Sequence, residues 1–428
     1  MNLKNQPRTT LYVVKHMRWP IILAVLLSLY PVGCSENRNI VDSDEQLAAY
    51  LADKPDALKR FYARVLEEGS RNMVLNQMEA GLAAMELGEY RLAEESFDQT
   101  LLGIESVYAN NEQAENARGL WRKEGSKDFK GEPYERVMAY YYRGLLYILR
   151  GDYENARACF KSGILQDAFA EEDQNKCDFA LLIFLEGWSS QQLGATSLAK
   201  QSYDELKTLR PDFVLPGADD NCLMLIETGG SPIKVAMGKY DSILAITRAE
   251  GFRERWAKVI LNNKVVPAFR MENIFWQAAS RGGRLFDGIL AGKAKFKDIN
   301  DTMGNSILDI CLKLLNEGNA EHDSAVIATA MLCTIVGLIP KIIAIKVETA
   351  ADTRYWHNLP DSVHVVSTRM AGTPTVNSPG LKPGEVMQFS FYDENGGKMP
   401  ELKQTAKVQP VPPGRSGLVW VRSRSAVN

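Results

Sequence analysis

Apolar residues recur at helical spacing through the amino-terminal half of the chain, and three stretches repeat one another. Gly81 to Phe97 reads GLAAMELGEYRLAEESF, Gly144 to Phe160 reads GLLYILRGDYENARACF, and Gly187 to Tyr203 reads GWSSQQLGATSLAKQSY. In each, a glycine is followed seven residues later by another, five later by an alanine, and four later by an aromatic. This pattern predicts a helix hairpin. Gly81, Gly144 and Gly187 let two helices pack closely, while Gly88, Gly151 and Gly194 take positive φ and end the first helix. Ala93, Ala156 and Ala199 keep the second helix near. Phe97, Phe160 and Tyr203 lie one turn further on the same face and fill the gap.

The three copies resemble the tetratricopeptide repeat (TPR), and the third also carries Pro211 just beyond its second helix, where that family places a proline. The resemblance covers roughly residues 72–213. The copies are not tandem: Gly88 and Gly151 are 63 residues apart, and Gly151 and Gly194 are 43 apart. Ala109 to Val137 is a long insertion that departs from the family, with Trp121, Phe129 and Tyr134 set among Arg122, Lys123, Lys127 and Lys130. It reads equally as an overhang of the repeat groove and as a surface loop. The resemblance implies a concave surface that docks a protein.

Beyond Pro211 the period changes. Arg210 to Asn221 holds two prolines and a glycine and reads as a linker. Cys222 to Met237, CLMLIETGGSPIKVAM, predicts strand, tight Gly-Gly turn, strand; Ala257 to Phe269, AKVILNNKVVPAF, predicts a hairpin turning at Asn262–Asn263. Asn273 to Phe296 reads as partly helical after its glycines. Helices are expected at Thr302 to Leu315 and Ser324 to Ile339, and strands at SVHVVST, EVMQFSFYD and GLVWVRS. The early and late strands are expected to share a sheet, with the helices inserted between them. The fold class is therefore mainly α: a TPR-like α-helical repeat domain followed by an α+β domain with a mixed or antiparallel sheet. The divisions are 1–33, a signal peptide; 34–70, a tether and helix; 71–215, the repeats; and 216–428, the α+β domain.

The amino terminus changes where this fold resides. Residues 1–35 carry Lys4, Arg8, Lys15 and Arg18 and no acid, followed by about ten apolar residues, Ile21 to Tyr30. That run is too short to span a bilayer, which takes about 20 residues, and it fits a signal-peptide core. Gly33 then precedes Cys34. The order resembles a bacterial lipoprotein signal, with Pro31 where the family usually has Leu. It implies lipidation of Cys34, cleavage before it, and a stable acyl anchor. Ser35, not Asp, follows the cysteine, which implies the outer membrane facing the periplasm. An ordinary cleaved signal is the alternative.

Composition sets bounds. The chain has 428 residues, 45% apolar and 24% charged, with a net charge of −3. Residues 1–33 hold four bases and no acid, so the mature charge is about −7. Such a balance has no footprint for nucleic acid. Past Cys34, the five cysteines Cys159, Cys177, Cys222, Cys311 and Cys333 form no CxxC pair and sit in apolar surroundings; Cys159 with Cys177 is the best disulfide candidate.

Candidate chemistry is sparse. GILAGKA, Gly288 to Ala294, has only three residues between its glycines and no hydroxyl at Ala294, so it is not a phosphate loop. Arg281 and Arg284, with Lys293, mark a candidate anion site near a helix start, against which stands a plain structural turn. RYWHNLP, Arg354 to Pro360, clusters Arg354, two aromatics and His357, as a packing corner or as part of the same site. Ala325 to Ile339 is free of charge over 15 residues, which fits a buried helix or an oligomerising or membrane-contacting face. No metal spacing, cofactor motif or catalytic set is found.

Taken with FKGEPYERVMAYYYRGLLYILRGDYENARACF, SRGGRLFDGILAGKAKF, ADTRYWHNLPDSV and SGLVWVRSRS, the mature chain resembles an uncharacterised group of bacterial lipoproteins with tetratricopeptide repeats. The resemblance implies an envelope location near assembly or secretion factors. The expected function is a non-enzymatic, outer-membrane-anchored scaffold that docks a protein partner of the envelope, with homo-oligomerisation as a further reading. The alternative is an envelope enzyme or small-ligand binder with its site around Arg281, Arg284, Arg354 and His357.

Overall fold

The computed structural model describes residues 44–106, 128–167, 178–237, 243–261, 264–279, 351–370 and 384–407, with 409, 415–425 and 427. Cys34, Cys177, residues 109–127, Arg281, Arg284, Lys293 and the expected helices at 302–315 and 324–339 lie outside the described residues. Among the described residues eight helices come first: α1 Asp44–Leu51, α2 Asp56–Glu67, α3 Gly69–Glu86, α4 Tyr90–Ser106, α5 Pro133–Arg150, α6 Tyr153–Asp167, α7 Ala180–Gln192 and α8 Thr196–Leu209. The pairs α3/α4, α5/α6 and α7/α8 are the three hairpins that the glycine pattern predicts.

Their geometry recurs. Gly88, Gly151 and Gly194 sit at φ 77°, 74° and 73°. At each, the glycine N–H and the next N–H turn back on the helix: Gly151 donates to Ile148 at 2.9 Å and Asp152 to Tyr147 at 2.9 Å. A side chain there would force a left-handed backbone that L-residues resist. The first glycines are close-approach sites. A Cβ built on Gly144 would stand 2.2 Å from the Phe160 ring, on Gly187 2.6 Å from the Tyr203 ring, and on Gly81 3.1 Å from the Phe97 ring. Ala93, Ala156 and Ala199 are buried beside them.

Among the described residues ten strands and one short helix follow: β1 Cys222–Thr228, β2 Ile233–Met237, β3 Ile243–Thr247, β4 Trp256–Leu261, β5 Lys264–Pro267, β6 Phe269–Asn273, α9 Ile274–Ala279, β7 Ser362–Thr368, β8 Val386–Tyr392, β9 Lys398–Lys407 and β10 Gly417–Arg422. They form a mixed sheet in the order β10-β1-β7-β6, an antiparallel sheet β5-β4-β8-β9, and a β2-β3 ribbon. Early strand β1 and late strands β7 and β10 thus share a sheet. β1 runs parallel to β10 and antiparallel to β7.

One expectation is corrected. CLMLIETGGSPIKVAM supplies two strands but no hairpin, because β1 already has a neighbour on each side and β2 pairs with β3. Gly229 and Gly230 serve close packing instead: added Cβ atoms would meet Asp361 Cβ at 2.5 Å and the Phe252 ring at 2.8 Å. Residues 280–296, with the helix expected after the glycines of the 273–296 segment, lie outside the described residues; ahead of those glycines, Ile274–Ala279 forms α9. Asn273 starts it by accepting from the Trp276 N–H at 3.0 Å. Strands β3, β6 and β9 were not foreseen. The 257–269 hairpin forms, with Leu261 opposite Lys264.

The mixed sheet is the middle layer. Side chains alternate across a strand. Leu223, Leu225, Val363, Val365, Leu418 and Trp420 meet the helices on one face. Cys222, Met224, Ile226, Val366, Val419 and Val421 meet Val259, Phe389 and Phe391 of the antiparallel sheet on the other. A strand covered on both faces reads as a continuous apolar run, as β1 does. One apolar core therefore runs unbroken from the repeats into the mixed sheet, across residue 216.

Two expected outcomes follow from this packing. Gly144→Ala should cost about 1–3 kcal/mol of unfolding free energy, because the buried Phe160 ring has nowhere to move. Gly81→Ala, whose contact is looser, should stay within about 1 kcal/mol of wild type in the same urea titration; equal losses would show that the ring contact does not set the spacing. The second concerns His364, buried between the sheets with Nδ1 3.3 Å from the Ile226 carbonyl and Nε2 3.1 Å from that of Arg255. Burial holds its pKa down to about 4 from an ordinary 6.5. The unfolded chain then takes the proton first. Stability from the neutral ring is full above about pH 6.5, falls as the pH drops toward about 4, and levels below that. The stability difference between wild type and His364→Gln should shift against wild type by about 2–3 kcal/mol between pH 7 and 4; a pH-independent difference would refute a neutral buried ring.

Candidate ligand cavity

Each first helix of a hairpin is tied to the sheet layer by an acidic group. On α3, Glu86 pairs with Arg422 of β10, and Glu79 meets His357. On α5, Glu135 is fully buried; it pairs with Lys234 of β2 at 2.6 Å and accepts the Trp356 N–H at 2.9 Å. At the start of α7, the Leu181 N–H faces Glu272 of β6 at 3.4 Å. Consequently the faces of α3, α5 and α7 that a repeat groove would offer to a partner are covered by the chain's own sheet.

The seam between α2, α3 and the sheet does not close completely. It leaves a cavity of about 500 Å³, walled by Phe61, Phe252 and Leu359 and edged by Arg60, Arg64, Glu79, His357, Arg422 and Arg424. Gly229 and Gly230 complete its wall, with Asn358 and Ser425.

Glu79 is the buried pivot. Its Oε2 takes Arg64 Nη1 at 2.7 Å, and its Oε1 lies 2.5 Å from His357 Nδ1. Arg64 Nε also pairs with Glu68, i,i+4 on the same helix turn, at 3.0 Å. A carboxylate on Nδ1 fixes the imidazole and leaves Nε2 for other partners. Arg424, also on the lining, donates to Glu254 from Nε at 3.0 Å and from Nη2 at 3.3 Å, and to the Gly251 carbonyl at 3.0 Å. Among the described residues, Arg64 Nη2, Arg424 Nη1 and His357 Nε2 enter no hydrogen bond.

Behind the cavity, Arg422 bridges Glu86 and Glu227, facing Glu227 at 3.1 Å, and donates to the Asn358 carbonyl at 2.5 Å. Glu227 also accepts from Trp420 Nε1 at 2.8 Å and from the hydroxyls of Tyr141 at 3.2 Å and Tyr142 at 3.0 Å. Burial pushes the Glu227 carboxyl up, opposed by Arg422 and by these three donors. Burial, with the Glu227 charge beside them, also drives both tyrosines well above their usual range. Burial pulls the Arg422 guanidinium down, but Glu86 and Glu227 outweigh it, and its pKa rises.

Of the four residues expected to share an anion site, His357 lines the cavity. Arg354 does not: it clasps Asp352 at 2.7 and 2.9 Å and Asn72 at 2.6 Å, and lies over the Phe129 ring. It braces α3 against the segment before β7, the packing-corner role. Arg60, Arg64, Glu79, Arg422 and Arg424 were missed because they come from both ends of the chain; only the RYWHNLP cluster signalled the place. A second depression, of about 980 Å³, lies along β5 and β6. Its Asp220 is bonded to Ser367 and Gly217, and its Arg270 lies on the Trp256 ring. Cys159 is a buried free thiol, raised to about 12 by burial. Among the described residues, no group of His, Cys, Asp or Glu is placed to hold a metal, and no helix is long and apolar enough to cross a membrane.

Compared with protein-family profiles, with curated proteins and with solved structures, the chain matches none.

Glu227→Ala should cost about 3–5 kcal/mol, since it strips a buried cation of one partner and orphans two tyrosine hydroxyls. A loss below about 1 kcal/mol in chemical denaturation would show that Glu86 alone suffices for Arg422.

Proposed function

We propose that this chain is a lipid-anchored binding protein of the bacterial cell envelope, in which TPR-like hairpins and a mixed sheet frame a cavity for a small ligand. The observation that carries this reading is the cavity itself. Residues from α2, α3, the β1–β2 loop and the last strand converge there, and their polar groups are held by buried acids while part of each stays accessible. The burial of the inner hairpin faces turns the reading away from peptide docking in the repeat groove. The anchor is Cys34, and Ser35 after it favours the outer membrane. The protein acts by holding its ligand, not by transforming it.

Full-length protein, purified from its native envelope in mild detergent, should carry a small molecule near one per chain in native mass spectrometry, or take one up from an envelope extract. Ser425→Trp, which places a bulky ring at the cavity edge, should lose it. A protein that binds nothing in either state, or that instead holds a stoichiometric protein partner, would overturn the reading in favour of a scaffold. Cys34→Ala should lose the lipid mass and move to the soluble fraction; a variant still on the membrane would rule out this anchor.

A further inference from the structure

Resting on the cavity as a binding site, we infer that its ligand is an oxyacid: a carboxylate or phosphate head on an apolar body. Of the polar groups at the rim, Arg64, Arg424 and His357 each spend only part of their hydrogen-bonding capacity on the protein. Glu79 holds Arg64 by Nη1, and Glu68 holds it by Nε. That leaves Nη2, while Nη1 remains on Arg424, whose other two nitrogens are held. A guanidinium held at two nitrogens presents the third as an oriented donor to an oxyanion. The imidazole is oriented through Nδ1 by Glu79, which keeps Nε2 for a further partner.

Position and exposure agree with this assignment. The side chains of Arg64, Arg424 and His357 are 39%, 37% and 51% exposed, open to a solute, whereas the acids that hold them, Glu79 and Glu254, are 4% and 0% exposed. The anions are therefore withdrawn behind the donors, and Glu79 is the sole carboxylate among the lining residues. Phe61, Phe252 and Leu359 supply apolar walls, and the Arg424 guanidinium already rests over the Phe252 ring, 4.9 Å from its centre. A free inorganic anion would leave those walls unused. An acid with an aromatic or aliphatic body would cover them.

The test uses full-length protein in detergent with isotope-labelled histidine. The chain has four histidines, so His357→Gln assigns the His357 signal, and the buried His364 reports whether the fold is intact. The probes are benzoate and phenyl phosphate, each against a neutral counterpart, benzamide and benzyl alcohol. The acids should shift the His357 signal saturably and leave that of His364 in place, and the neutral probes should not. Arg64→Gln and Arg424→Gln should each weaken the acids about tenfold or more while His364 stays unmoved. Benzamide binding as tightly as benzoate at His357 would overturn the oxyacid assignment and keep the cavity. Acids that bind equally well to both arginine variants would overturn it too. Silence of His357 toward all four probes would remove the cavity as a binding site, and the assignment with it.

Discussion

A buried arginine caught between two glutamates holds the layers of this molecule together. Arg422, on the last strand, is bound by Glu86 from α3 and by Glu227 from β1, and the same Glu227 collects Trp420 and two tyrosines of α5. Stripped of water, any of these charges alone would be costly, so each is tolerable only while the others are in place. The network therefore works as a registration device. The mixed sheet can meet the helices in one position, the one that brings β10 to the end of α3 and β1 under α5.

Two features follow from that registration. The inner faces of the hairpins become an internal surface, with Tyr142 between the Trp356 and Trp420 rings, at centroid distances of 5.6 and 6.2 Å. A helical repeat array that elsewhere would offer a groove is here half of a core. The cavity arises where this fit ends. Arg422 forms its floor, α2 reaches it from one side, and the chain after β10 reaches it from the other. Donors that were only partly consumed in holding the fold remain at its rim, so the same ion pairs that fix the architecture shape the site.

Some of this was legible in residue patterns. The glycine, alanine and aromatic spacing of Gly144, Gly151, Ala156 and Phe160 marks a hairpin because each position answers a local need: a close approach, a left-handed residue, a small contact and a filler. Strands β7, β8 and β10 were legible from runs of β-branched and aromatic residues. The Gly229–Gly230 pair misled, since a tight turn and a tight packing contact ask for the same residue. Strand β9, with Lys398, Lys403 and Lys407, has too polar a pattern to read as sheet. The cluster at Arg354 and His357 stood out in sequence, yet nothing local separates a residue that clasps Asp352 from a neighbour that opens onto a cavity.

By itself the sequence determined the helix hairpins, most of the described strands and the near balance of basic and acidic residues. Those follow from short-range physics: backbone freedom, side-chain period and local charge. Only the tertiary structure decided that the hairpins close on their own sheet, that Glu79 and His357 meet across 278 residues of chain, and that arginines from both ends gather at one cavity. The reason is that a buried charge chooses its partner by desolvation and geometry in three dimensions, and neither quantity is written into the spacing along the chain.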